Sequence, residues 1–157
     1  MTINYNKKII FENGQEFYGF SFGYDEDKVC EIVFNTSMVG YQEILSDPSY
    51  TNQAVVMTYP LIGNYGMAKD DYESEVPTIG ALIVKEYNDV PSNFRSAETL
   101  ASVLKKFKIP GVYGVDTRKL TRAIRDFGSS KALITKASTP LEVGLAILRV
   151  SALPTDA

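Results

Sequence analysis

The side chains that carry most enzyme chemistry are nearly missing from this chain. Its 157 residues include no histidine, so it cannot by itself assemble a Ser-His-Asp or Cys-His nucleophile pair, an imidazole acid/base step, or a His-ligated zinc or haem site. The single cysteine, Cys30, cannot form an internal disulfide, a CxxC redox pair or an Fe–S cluster, and it suits a reducing compartment. It falls in a β-branched and aromatic stretch, CEIVFN at 30–35. An apolar setting raises a thiol pKa and no imidazole is present to activate it, so structural burial is the expected role.

Charge is the next resource. The formal net charge is −3, but residues 101–136 hold nine basic side chains against two acidic ones, leaving seven basic against seventeen acidic elsewhere. Opposite fields are therefore expected on different parts of the surface. Arg118, Arg122 and Arg125 recur at i, i+4 and i+7, so one helix face presents three guanidinium groups. Three readings apply to it: a solvated face, a site for an acidic protein, or a contact for phosphates. Overall acidity weighs against nucleic acid as a partner. Asp70, Asp71, Glu73 and Glu75 could offer hard oxygen ligands to a cation, but without EF-hand spacing the favoured reading is a solvated acidic loop. Asp25-Glu26-Asp27 is read the same way. Gly63-x-x-Gly66 and Gly111-x-x-Gly114 contain no basic residue between the glycines, so turn and close-packing roles outweigh a nucleic-acid clamp. In SDPSYT at 46–51, Asp47-Pro48 initiates a turn that would hold the Ser49 hydroxyl at an exposed tip.

These residues need a scaffold, and the pattern supplies one. Asn13-Gly14 between apolar runs predicts a hairpin with a type I′ turn, both residues taking positive φ. Strands are expected at 20–22, 30–35, 53–58, 78–85, 112–115 and 131–135. A short helix over 40–47 stops at Pro48. A second carries Leu100, Val103, Leu104 and Phe107 inward, with Lys105, Lys106 and Lys108 towards water, and ends at Pro110-Gly111. Asp116 is placed to cap a third helix over 117–127, with Leu120, Ile124 and Phe127 inward and Gly128 beyond its end. Thr139-Pro140 opens a fourth, to about Ser151. Residues 59–76 form a long loop. A layered α/β fold with a mixed sheet and helices on one side follows. The length suits one compact domain, and no segment reads as a signal peptide or membrane span, which places the chain in the cytoplasm.

Several segments together resemble one family. They are FNTSMVGYQEILSDPSY at 34–50, MTYPLIGNYG at 57–66, PSNFR at 91–95 and VDTRKLTR at 115–122. In order and spacing they resemble the small chain of carbamoyl-phosphate synthase, over nearly the whole length from the first hairpin to about Thr135. The resemblance implies an amino-terminal domain of three β/β/α layers, residues 1–151, with 152–157 starting a linker to a class I glutaminase domain. That second domain carries a Cys-His-Glu triad, none of which maps onto this sequence, so no catalytic residue is expected here. The resemblance further implies a subunit that hydrolyses glutamine and passes ammonia to a large synthetase chain. ATP and a divalent metal belong to that large chain, and no cofactor or metal to this one. The product, carbamoyl phosphate, feeds pyrimidine and arginine synthesis. One site residue carries over: Ser49 corresponds to the serine that helps form the glutamine site. A free-standing regulatory or ligand-binding module of the same fold is the alternative.

Overall fold

A computed structural model describes residues 4–36, 41–58, 67–68, 77–86, 97–98, 100–128 and 130–151. In order these form β1 (Lys7–Phe11), β2 (Glu16–Ser21), β3 (Lys28–Asn35), α1 (Tyr41–Ser46), a 3-10 turn (Pro48–Tyr50), β4 (Gln53–Met57), β5 (Met67–Ala68) and β6 (Ala81–Ile83). Then come β7 (Ala97–Glu98), α2 (Leu100–Lys106), β8 (Gly111–Tyr113), α3 (Thr117–Phe127), β9 (Ser130–Lys136) and α4 (Leu141–Val150).

Seven strands join into one mixed sheet ordered β1-β2-β8-β6-β4-β3-β9, and β9 pairs back onto β1 to close it. β3, β4, β6 and β8 run parallel to their neighbours in that arc, while β1, β2 and β9 pair antiparallel. β5 and β7 form a separate two-stranded ladder. Successive side chains of a strand point to opposite faces. Ile9, Phe11, Cys30, Ile32, Ala54, Val56, Ala81, Ile83, Val112, Ala132 and Ile134 therefore share one face, and they unite in a single buried cluster that α3 joins with Leu120, Ala123 and Ile124. The other face carries two separate clusters. On one, α1 and α2 cover Val55, Met57 and Leu82 with Ile44, Leu45, Val103 and Leu104; on the other, α4 sets Leu148 on Ile10 and Leu133. One united set and two divided ones are what the inside and outside of a ring produce.

The mixed α/β sheet agrees with expectation, but the ladder runs as one closed ring and does not delineate separate β/β/α layers. The helices are not confined to one side either. A ring has an outside all the way round, so α1 and α2 cover one arc and α4 another.

Local details differ for physical reasons. The first hairpin is not a type I′ turn. Phe11 N–H donates to the Gln15 carbonyl at 2.9 Å and Gly14 N–H to the Phe11 carbonyl at 3.0 Å, and of Asn13 and Gly14 only Gly14 has positive φ, +91°. This is a three-residue loop with a left-handed glycine, in which the Asn13 side chain instead accepts from Gln15 N–H at 3.0 Å. Phe127, expected inward, is 59% exposed, because α3 reaches its end beyond the cluster. The strand expected over 78–85 narrows to Ala81–Ile83, preceded by an isolated bridge between Thr51 and Ile79. Asp116 caps α3 as expected, its carboxylate accepting from Lys119 N–H at 3.1 Å, and Gly128 ends it at φ +74°.

Two buried lysines stand on β1. Lys7 donates to Asp25 at 2.8 Å, and Lys8 pairs with Glu16. Asp25-Glu26-Asp27 is thus more than a solvated turn: Asp25 holds Lys7, and Asp27 accepts from the Thr135 hydroxyl at 2.9 Å. The hydrogen bond and charge of Lys7 hold the Asp25 carboxyl below the usual carboxylate range.

Gly80 permits the closest approach in this region. A Cβ there would lie 2.7 Å from the Asn52 carbonyl oxygen and 2.8 Å from Cys30 Sγ. Gly80→Ala is expected to lower stability by about 1–3 kcal/mol through overpacking against backbone. A urea midpoint equal to wild type would show that the Asn52 segment yields without cost.

Candidate functional site

The turn bearing Ser49 is built from the ends of two parallel strands. Asp47 caps the 3-10 turn, its carboxylate accepting from Ser49 N–H at 2.9 Å, and Pro48 supplies a fixed φ at the first position. The Tyr50 N–H donates to the Asp47 carbonyl at 3.0 Å. Below the turn, Asn35 Nδ2 at the end of β3 donates to the Tyr50 hydroxyl at 2.7 Å. Behind it, the Thr51 hydroxyl donates to the Pro48 carbonyl at 3.0 Å, and Asn52, left-handed at φ +62°, donates its N–H to the Thr78 carbonyl at 3.0 Å. The backbone is over-determined while Ser49 is exposed. Its hydroxyl makes no hydrogen bond among the described residues.

The sequence marks the Asp47-Pro48 turn that holds Ser49 but not the Asn35–Tyr50 bond that stiffens it. Both residues lie in the 34–50 segment, and a polar residue closing a strand of β-branched neighbours was the available signal.

A second feature gathers around α3. A groove of about 1120 Å³ is lined by Arg118, Arg122 and Arg125, by Lys85 after β6, and by Tyr18 on β2. All three arginines are exposed, and none has an ion pair with a described carboxylate. The Arg125 guanidinium lies 5.9 Å from the Phe34 ring centroid, a cation–π distance. The structure thus keeps the three arginines on one face, as their spacing requires, and adds Lys85 and Tyr18 from distant parts of the chain.

Other candidates fall away or lie elsewhere. Asp70, Asp71, Glu73 and Glu75, the pair Gly63 and Gly66, and the 91–95 segment are outside the described residues. Gly114 is a turn residue at φ +79°, and a Cβ on Gly111 would lie 2.9 Å from Leu104 Cδ1, matching the turn and close-packing roles. Cys30 is buried, and burial pushes its thiol up to about 11, partly opposed by the charge of Lys28. Among the described residues no helix is long and apolar enough to cross a membrane.

Closed mixed sheet, clamped turn and cationic groove together define an α/β barrel domain. The chain belongs to the carbamoyl-phosphate synthase small chain family: the model of its CPSase domain matches residues 9–134. It is 51% identical to the carbamoyl phosphate synthase small chain of Fusobacterium nucleatum, over 97% of this chain and 42% of that protein. It is likewise 51% identical to the pyrimidine-specific small chain of Bacillus subtilis, over 94% of this chain and 41% of that one. The chain thus spans about two fifths of the length of these relatives. An aminopeptidase from Aneurinibacillus sp. strain AM-1 overlays 85% of this chain at a TM-score of 0.46 with 12% identity, too weak a likeness to bear on fold or function.

The raised thiol pKa has a definite sign. Burial favours the protonated form, so its stabilising effect is complete below the ordinary value of 9.0 and is lost as pH rises towards about 11. A thiol reagent at pH 8 is expected to label Cys30 slowly in the native chain and rapidly in denaturant. Cys30→Ala should flatten the decline in stability between pH 9 and 11. Equal labelling rates in both states would show an accessible thiol.

Proposed function

We propose that this chain is the amino-terminal domain of the glutamine-hydrolysing subunit of a carbamoyl-phosphate synthase. The observation that carries the reading is the match over residues 9–134 at about half identity to small chains more than twice as long. On this reading residues 1–151 form the domain, of the family's three-layer β/β/α type, and 152–157 begin the linker to a glutaminase domain. The assembly works in the cytoplasm. The large chain, with ATP and a divalent metal, makes carbamoyl phosphate from the ammonia delivered to it, for pyrimidine and arginine synthesis. This domain contributes structure, docking and one substrate contact. The exposed Ser49 hydroxyl, held on a rigid turn, completes a glutamine pocket otherwise made by the glutaminase domain.

The chain by itself is expected to release no ammonia from glutamine. Sustained release, abolished by Cys30→Ala or not, would overturn the reading of a non-catalytic domain. In the whole small chain, Ser49→Ala should weaken glutamine binding by about 1 kcal/mol, one hydrogen bond, with the fold intact. An unchanged glutamine affinity would reduce Ser49 to a turn residue.

A further inference from the structure

We infer that the groove along α3 is a docking surface for a carboxylate-rich face of a separate protein chain, which under the function proposed above is the large synthetase chain. Five cationic side chains and three carboxylates line the groove. Two of those carboxylates are already engaged: Glu16 pairs with Lys8, and Asp116 accepts from its own helix at Lys119 N–H. Among the described lining residues, Glu86 alone remains to oppose the arginines. Like charges at i and i+4 repel one another on a helix, so carboxylates arriving between Arg118 and Arg122 would relieve the repulsion between that pair.

The guanidinium groups are suited to that partner. Each presents a planar fork that matches a carboxylate bidentately, and Arg125 is steadied against Phe34. The facing wall adds Tyr18, 40% exposed, and arginine beside tyrosine is the composition of energetic centres in protein interfaces. A nucleic-acid strand fits less well. Glu86 stands among the cationic groups and interrupts the positive track that a continuous run of phosphates would follow, whereas separate carboxylates can be spaced around it.

The test uses the whole small chain and the large chain, with affinity measured at low and moderate salt. Wild type is expected to bind with an affinity that falls as salt rises. R118E/R122E should weaken binding by about tenfold or more, as reversal of complementary charge does, while R149E on α4, away from the groove, should not. R118K/R122K should fall between, since charge is kept and the fork is lost. Thermal melts report folding, and R118A/R122A replaces the reversal if that variant melts early. Equal binding of wild type and the folded groove variants would overturn this inference while leaving the subunit assignment standing. Failure of the wild-type chains to associate would instead remove the assignment and this inference together. Salt-sensitive binding of a labelled single-stranded RNA that displaces the large chain would overturn the choice of a protein partner.

Discussion

Everything in this molecule depends on β9. It alone pairs with both β1 and β3, through the registers Ile9↔Ile134 and Cys30↔Ala132 among others, and without it the first hairpin would be attached to the parallel arc only through the short ladder between β2 and β8. The strand carries Ala132 and Ile134 into the shared core and Leu133 outward onto α4, so its two faces serve two packing problems at once. A one-residue slip would exchange those faces, burying Leu133 inside and removing the seat of Leu148. The register is therefore fixed by burial on both sides, and closure leaves the seven-stranded ring without a free edge.

Closure has consequences for the recognition features. β3 is held between β9 and β4, which fixes the position of Asn35 at its end. Asn35 reaches the Tyr50 hydroxyl, and the turn that exposes Ser49 is clamped from below by a strand the far end of the sequence keeps in place. The same strand end carries Phe34, against which Arg125 lies. Turn and groove are thus both indexed to β3, by neighbouring residues of opposite orientation on it. A turn tip on a rigid base loses little further entropy on meeting a ligand, which is how a single hydroxyl on a short loop can hold a defined position.

Local chemistry was legible in the sequence where it was decided locally. The Asp116 cap, the Gly128 stop, the Asp47-Pro48 turn and the burial of Cys30 each depend on a few adjacent residues, and each is present. The closed ring was not legible, because strand alternation reports which residues share a face and not whether the last strand meets the first. The burial of Lys7 and Lys8 was not legible for a related reason. Their stems are buried and their charges meet Asp25 and Glu16 across distances in sequence that pattern cannot see. Asn13-Gly14 correctly marked the hairpin, but the choice between a two-residue and a three-residue loop was settled by pairing Phe11 with Gln15.

The absence of histidine matters beyond excluding imidazole catalysis. No side-chain type present has an ordinary pKa between about 5 and 8. The resolved shifts move away from that window in both directions: Asp25 is held down by Lys7 and Cys30 is pushed up to about 11 by burial. Arginine does not lose its proton in water at any such pH. The field of the groove is governed by ionic strength, because the three guanidinium groups are exposed and screened within a Debye length of about 8 Å at physiological salt. A recognition surface built this way responds to the partner and to salt.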